Sequence, residues 1–499
     1  MKSVIIIGSG IGGLATACLL AKQGYAVQVF EKNEQFGGRA SIFEAEGFRF
    51  DMGPSWYLMP DIFEHFFELM GERVEDHLDL VRLGPSYRIF FKDEGKQVDI
   101  YSDIERDRST LEALEPGSCE KLKDYLKRAG EAYTLSKRSF MYKNYDTFRD
   151  LFTWEALKNG RRLSVFTNMH AYISRFFKSD ALQKILEYQL VFLGSSPYAT
   201  PALYSIMNYI DFKMGVYYPK MGIYEIINAL VRLAKKYGVK LQTDAPVEKI
   251  LVEDGRAVGI RLANGQEVRA DIIVSNADIH HTDTQLLSKE YRQYDEKYWK
   301  SRVLAPSALI LYLGVKGRIP SLTHHNLLFS KDWKQNFAET FDTPRWPTDP
   351  SIYVCAPSVT DSTVAPPDHE NLFVLVPIAS GLEYTEELLK QKTEKILDTL
   401  SESMNIPELR SRIVYQKTFC VKDFVERYNS FQGTALGLAH TLKQTATFRP
   451  NNINPKVKNL YYVGANTNPG IGMPICLISA ELVVKRLMGD KSGAPLSSL

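Results

Sequence analysis

Apolar positions open this chain as one continuous run: the eighteen residues 4–21 carry no charge, whereas later hydrophobic stretches are shorter and patterned. Such a run suits a buried strand, turn and helix, or an export signal, and Lys2 ahead of it with Ala15-Thr16-Ala17 inside it imitates a signal's charged start and cleavage site. Four glycines favour the first reading, because each would cost a membrane helix packing and backbone stability. Gly8, Gly10 and Gly13 form G-x-G-x-x-G directly after the β-branched residues 4–7, with Gly12 adding to the turn. The pattern predicts a strand at 4–7, a helix at 14–22 ended by Gly24, and a second strand at 25–30 closing on Glu31. This is the layout of a dinucleotide cradle: the glycines bring backbone and helix N-terminus to a pyrophosphate, and the acid eighteen residues past Gly13 suits two ribose hydroxyls. No signal peptide is expected.

Further along, the periodicity changes several times. Residues 106–214 are mostly helical in pattern, with long proline-free segments at 119–135 and 180–192. An amphipathic helix at 222–236 precedes short strands turned at Asp254-Gly255 and Asn264-Gly265. Residues 306–316 and 352–378 alternate like sheet strands, a helix at 383–404 follows, and a strand at 460–463 leads through a glycine-rich turn to a helix opening near Pro474. No stretch would cross a bilayer as a helix.

At 499 residues and 44% apolar, the chain supports two or three domains. A net charge of +2 argues against a nucleic-acid partner, which usually selects a basic excess. The five cysteines show no paired or metal-like spacing and read as reduced thiols. His280-His281 and His324-His325 are adjacent, and neighbours on a strand face opposite ways, so no metal is expected.

Two tight turns, Gly37-Gly38-Arg39 and Asp51-Met52-Gly53-Pro54, suit close approach of backbone to a bulky ligand. Together with the opening unit, "SNAD" at 275–278, "VGANTNPGIGMP" at 463–474, and the stretches 349–367 and 419–438, they resemble the carotenoid desaturase family, specifically bacterial and fungal phytoene desaturases. The resemblance spans nearly the whole chain. It implies an α/β fold: a Rossmann-like FAD-binding domain of the amine-oxidase, two-dinucleotide-binding type, an α+β substrate domain, and a helical membrane-facing insertion. The expected division is 1–80, 215–280 and 440–499 for FAD, 81–105 and 281–439 for substrate, and 106–214 for the insertion.

Carried over residue by residue, the resemblance implies FAD held by Gly8, Gly10 and Gly13 at the pyrophosphate, Glu31 at the ribose and Arg39 on the flavin side, with Gly38 and Pro54 in the close turns. Val247 would meet the adenine through its backbone, Gly464 and Asn466 the ribityl chain, and Gly472-Met473 would offer N–H groups to the flavin edge, where a helix N-terminus stabilises negative charge. The family's "GAGTHPGAG" stands here as "GANTNPGIG", which bears on redox tuning and substrate position. Arg149 and Asp150 are the family-based candidates for proton handling. The implied activity is desaturation of phytoene or a C30 analogue by hydride loss to flavin and loss of a proton, with quinone or oxygen reoxidising the cofactor. A carotenoid end-group oxidase or saturase on the same scaffold, and a non-catalytic flavin-binding lipid carrier, are the alternatives.

Local charge adds a partner. Residues 137–178 carry nine Lys or Arg against three acids, with ten aromatics. Basic heads beside aromatic anchors suit an anionic lipid surface, and a bilayer-dissolved substrate requires such a contact. A peripheral, monotopic enzyme on the cytoplasmic face of a membrane is expected.

Overall fold

The computed structural model describes residues 1–92, 95–147, 150 and 166–499. Five parallel strands form one sheet in the order Leu460–Tyr462, Ile272–Ser275, Ser3–Ile7, Ala26–Phe30 and Lys240–Gln242, so three distant stretches of chain build one nucleotide-binding layer. Along Ser3–Ile7, Val4 and Ile6 enter the core on one face and Ile5 and Ile7 the core on the other, as period-two side chains in a doubly covered strand must.

Helix Ile11–Lys22 explains the uncharged opening run. Eleven of its twelve residues are buried, because it is wedged between helix Tyr224–Lys236, helix Met473–Met488 and the sheet. A helix covered on all sides has no polar face to present. Helix Tyr224–Lys236 instead buries Ile226, Ile227, Leu230, Leu233 and Ala234 along one stripe.

Beyond it, Val247–Glu253, Arg256–Leu262 and Glu267–Arg269 make an antiparallel sheet. Its first hairpin turns at Asp254 and Gly255, both at positive φ, as a tight hairpin of matching twist demands. A third, seven-stranded sheet runs Ile413–Phe419, Ser307–Lys316, His369–Ile378, Ile352–Cys355, His325–Phe329, Tyr87–Phe91, Lys96–Ile100. All its pairs are antiparallel except His325–Phe329 with Tyr87–Phe91. Strand Ser307–Lys316 sends Ala308, Ile310 and Tyr312 toward the helical part, and Leu309, Leu311, Leu313 and Val315 toward helix Glu386–Ser403.

Between residues 104 and 214 the described chain is mainly helical, with Ile104–Leu114 and Ser118–Ser139 the long elements. The helix expected over 180–192 stops at Glu187 and continues as the tighter turn Tyr188–Leu193. That winding brings Tyr188 and Gln189 onto the buried Asp211 carboxylate. Among the described residues no helix is long and apolar enough to cross a membrane, and all five cysteines are free.

Candidate functional site

One cavity of about 1310 Å³ runs from the carboxyl ends of the parallel strands to the face of the seven-stranded sheet. Its first half is a cradle of turns. Gly10 caps helix Ile11–Lys22 without a side chain, so the first-turn N–H groups point at the cavity as an anion site. Gly8 and Gly10 line this half; Gly13 does not. A Cβ on Gly13 would fall 2.3 Å from the Gly8 carbonyl oxygen, so the contact of helix with strand requires a glycine here.

The residue that makes the glycine pattern necessary is Asn276, in "SNAD". Its side chain donates to the Val463 carbonyl at 3.0 Å and occupies the space into which Cβ atoms on Gly10, Gly12, Gly13 and Gly464 would project, at 2.7–3.1 Å. One amide, bonded to the last cradle turn, thus packs directly against the first. No local pattern marks this role; only the fold brings residues 10, 276 and 464 together.

Glu31 is buried at the end of the second strand. Its carboxylate accepts from Ser9 N at 2.9 Å, Ser9 Oγ at 2.7 Å and Asn33 N at 3.0 Å, and it lines the cavity beside Pro246 and Val247. A polar anchor and an extended backbone edge there suit an adenosine. Gly38 packs on Gly10, its Cβ position 3.3 Å from the Gly10 Cα, and Gly53 closes on the Arg39 carbonyl in the same way at 2.7 Å. The two turns therefore stack, with Gly38, Arg39 and Pro54 facing the cavity. Arg39 donates to Ser430 Oγ at 2.9 Å and lies over the Tyr428 ring, while its Nε is buried without a partner, a donor available to a ligand. Asp51 of the same turn is structural: it accepts from Ile223 N and Tyr224 N at the start of helix Tyr224–Lys236, and burial lifts its carboxyl to about 6.

A second helix start completes the cradle. Gly472, at φ 127°, precedes Met473–Met488, and both Gly472 and Met473 line the cavity. Gly464 and Asn466 line it too, and the Asn466 side chain also binds the protein: its amide donates to Asp278 at 2.9 Å and its oxygen accepts from Leu438 N at 3.1 Å.

Two helix N-termini, a ribose-type acid and glycine turns at the switch of a parallel sheet fit a dinucleotide. Residues 11–488 match the family model of the flavin containing amine oxidoreductases. The chain belongs to that family. A dinucleotide cradle in a flavin-containing family takes FAD. The chain is 46% identical over 492 residues to a carotenoid 3,4-desaturase of Haloarcula japonica, covering 98% of each chain. It is 38% identical over 491 residues to a zeta-carotene-forming phytoene desaturase of Myxococcus xanthus, covering 98% of this chain and 94% of that one. The fold is shared with the crystal structure of an oxidoreductase from Methanosarcina mazei, at TM-score 0.64 and 19% identity over 97% of this chain and 100% of that one.

The other half of the cavity is apolar, walled by residues such as Val191, Phe192, Met207, Leu327, Phe329 and Leu375. Its lining also includes Phe166, Leu442 and Phe448, exposed by 94%, 40% and 46%. Asp150 is not in this wall: its carboxylate caps a surface turn, accepting from Asp146 N at 2.9 Å and Thr147 N at 2.7 Å, which hold it below the ordinary carboxyl range. Arg149 lies outside the described residues, as do Lys158, Arg161 and Arg162 of the basic window.

The adjacent histidines 324 and 325 do not point apart. His324 precedes strand His325–Phe329 rather than belonging to it, so the alternation of a strand does not govern it, and the two rings lie 4.5 Å apart. Donor atoms of His324, His325 and Cys355 come within 4.8 Å of one another. Among the described residues three donors meet here, one fewer than a closed structural zinc site takes. Burial keeps this cluster uncharged, depressing both imidazoles and pushing the Cys355 thiol up to about 12.

Proposed function

We propose that this chain is an FAD-dependent carotenoid desaturase acting on phytoene, a C30 analogue or a related acyclic carotenoid. The observation that carries the reading is the single cavity, polar and glycine-lined where it would hold FAD, then apolar to its rim. A polyene offers no polar group to grip, so an apolar tube with one reactive end is the binding site it requires. Bound flavin supplies a hydride acceptor, which no side chain can. The protein aligns the chain, excludes water, and receives the proton that the resulting allylic cation releases.

The names of the relatives support this substrate class, and the 46% identity to a carotenoid 3,4-desaturase favours desaturation over end-group oxidation. The exposed apolar residues Phe166, Leu442 and Phe448, with Lys443 beside them, and the basic charge of 137–178 support docking on an anionic lipid surface from which substrate slides into the tube, although Tyr142, Tyr145 and Phe177 of that window are buried in the core rather than anchors. Quinone or oxygen would then reoxidise the flavin. Expressing the chain beside C40 and C30 synthases and reading the pigments tests the reading: colour from a colourless precursor supports it. Colour only from an already conjugated precursor, with oxygen gained, favours an end-group oxidase.

A further inference from the structure

Among the polar groups that interrupt the apolar half of the cavity wall, one pair is linked to a buried histidine. Ser55 and Tyr353 face the space together, their oxygens 2.8 Å apart, and the Tyr353 hydroxyl lies 2.7 Å from His325 Nδ1. Register explains the meeting. Leu327 pairs with Tyr353 and His325 with Cys355 across antiparallel strands, so Tyr353 and His325 are diagonal neighbours on the same sheet face. His325 is fully buried, its ring lies flat on the Trp56 indole at 4.0 Å and 8°, and its Nε2 has no hydrogen-bond partner.

Ser55 directly follows the Gly53-Pro54 turn that closes on Arg39, so this trio stands where the cradle passes into the apolar half. Several other titratable groups of the wall are held by the protein. Glu31 and Asp278 belong to the cradle and are held by backbone N–H groups. Tyr188 belongs to the shell of donors around Asp211, with the Tyr87 hydroxyl and the Gln189 amide. His440 is bound to the Leu193 carbonyl behind Gly470.

We propose that Tyr353 and His325 form the proton acceptor of the desaturation, Tyr353 as the catalytic residue touching substrate and His325 as its buried partner. The proposal rests on the desaturase reading. Once hydride has left one allylic carbon, the C–H bond on the neighbouring carbon breaks and its electron pair becomes the new π bond. Its proton passes to the Tyr353 phenolic oxygen as that oxygen's own proton moves to His325 Nδ1. Tyr353 ends neutral and His325 ends as an imidazolium against the Trp56 π face, a surface that favours a cation. When product leaves and water enters the cavity, the proton passes from His325 back through Tyr353 to that water, a direction that burial of His325 favours. A weak base suffices because the donor is a carbocation.

The test compares the holoenzyme with Tyr353→Phe and His325→Asn, using polyene deuterated at the carbon that loses the proton. Flavin content is read by absorbance and polyene affinity by quenching of tryptophan fluorescence. Both variants should keep flavin and polyene binding, lose 10²-fold or more in single-turnover rate, on the order expected for a general base, and show a primary isotope effect larger than the parent's. Retained binding with a rate within threefold of the parent, or an unchanged isotope effect in the slowed variant, overturns the relay. If Tyr353→Phe loses its flavin, His325→Asn, which leaves the cavity wall intact, decides by the same criteria. A parent that desaturates no C30 or C40 polyene overturns the functional reading instead.

Discussion

Gly13→Ala separates a glycine that serves the fold from one that serves the ligand. The added methyl would lie 2.3 Å from the Gly8 carbonyl oxygen, 2.9 Å from Asn276 Oδ1 and 3.1 Å from Asn276 Cβ, where ordinary contacts begin at 3.4 Å. Relief requires helix Ile11–Lys22 to move by about 1 Å from the first strand, yet that helix is buried at eleven of twelve positions and cannot shift without opening its other contacts. Overpacking of this kind costs about 1–3 kcal/mol, and at roughly 1 °C per kcal/mol for a chain of 499 residues the melting temperature should fall by about 1–3 °C. The decisive sample is the flavin-free protein, melted beside the flavin-free parent by circular dichroism. The loss should appear there in full, with weakened FAD retention as a consequence. An unchanged melting temperature without cofactor, combined with weaker FAD binding, would show that Gly13 acts on the ligand and refute the packing argument.

Other outcomes follow from the same geometry. Asn276→Ala should leave the glycine turns unpinned and lower FAD retention at least tenfold, measured by equilibrium dialysis, whereas Glu31→Gln should cost about 1–3 kcal/mol of adenosine binding, one charge-assisted hydrogen bond. Burial raises the Asp211 carboxyl from 3.8 to about 7, so the folded state holds a proton there that the unfolded chain gives up. The stability from this site is complete below about pH 3.8 and is lost as pH rises through about 7. Melting temperatures of Asp211→Asn across that window should accordingly fall less with pH than the parent's. Changing Lys158, Arg161 and Arg162 to Ser together should lower affinity for anionic liposomes about a hundredfold at low salt, at about 1 kcal/mol per charge near the surface. Leu442→Ser with Phe448→Ser should weaken docking on neutral liposomes as well, and sedimentation assays distinguish the two.

The cofactor half of this protein was legible in the sequence because its signals are local. A β-branched run, three spaced glycines, a helix and an acid occur in order within residues 4–31, and the structure places them at the sheet as expected. Helices near Tyr224 and Met473 and the hairpin at Asp254-Gly255 were equally visible, since periodicity and turn chemistry are short-range. The roles of Asn276, Ser9 and Ser55 were not, because each depends on which distant strand lies alongside. Asn466 sits in the expected turn and lines the cavity, while its bonds to Asp278 and Leu438 are long-range ones that no pattern within the turn reveals. The pairing of Tyr353 with His325 is a matter of strand register, which no pattern within either strand reveals.

Desaturation by this chain requires that one cavity bring an acyclic polyene to FAD for removal of two hydrogens. Anaerobic mixing of the yellow holoenzyme with phytoene or its C30 analogue in liposomes tests it most directly. The account predicts that the flavin bleaches in proportion to new conjugated double bonds, one per flavin, with no oxygen incorporated. Flavin that stays oxidised while the polyene is bound, or that bleaches with no gain in conjugation, would contradict it.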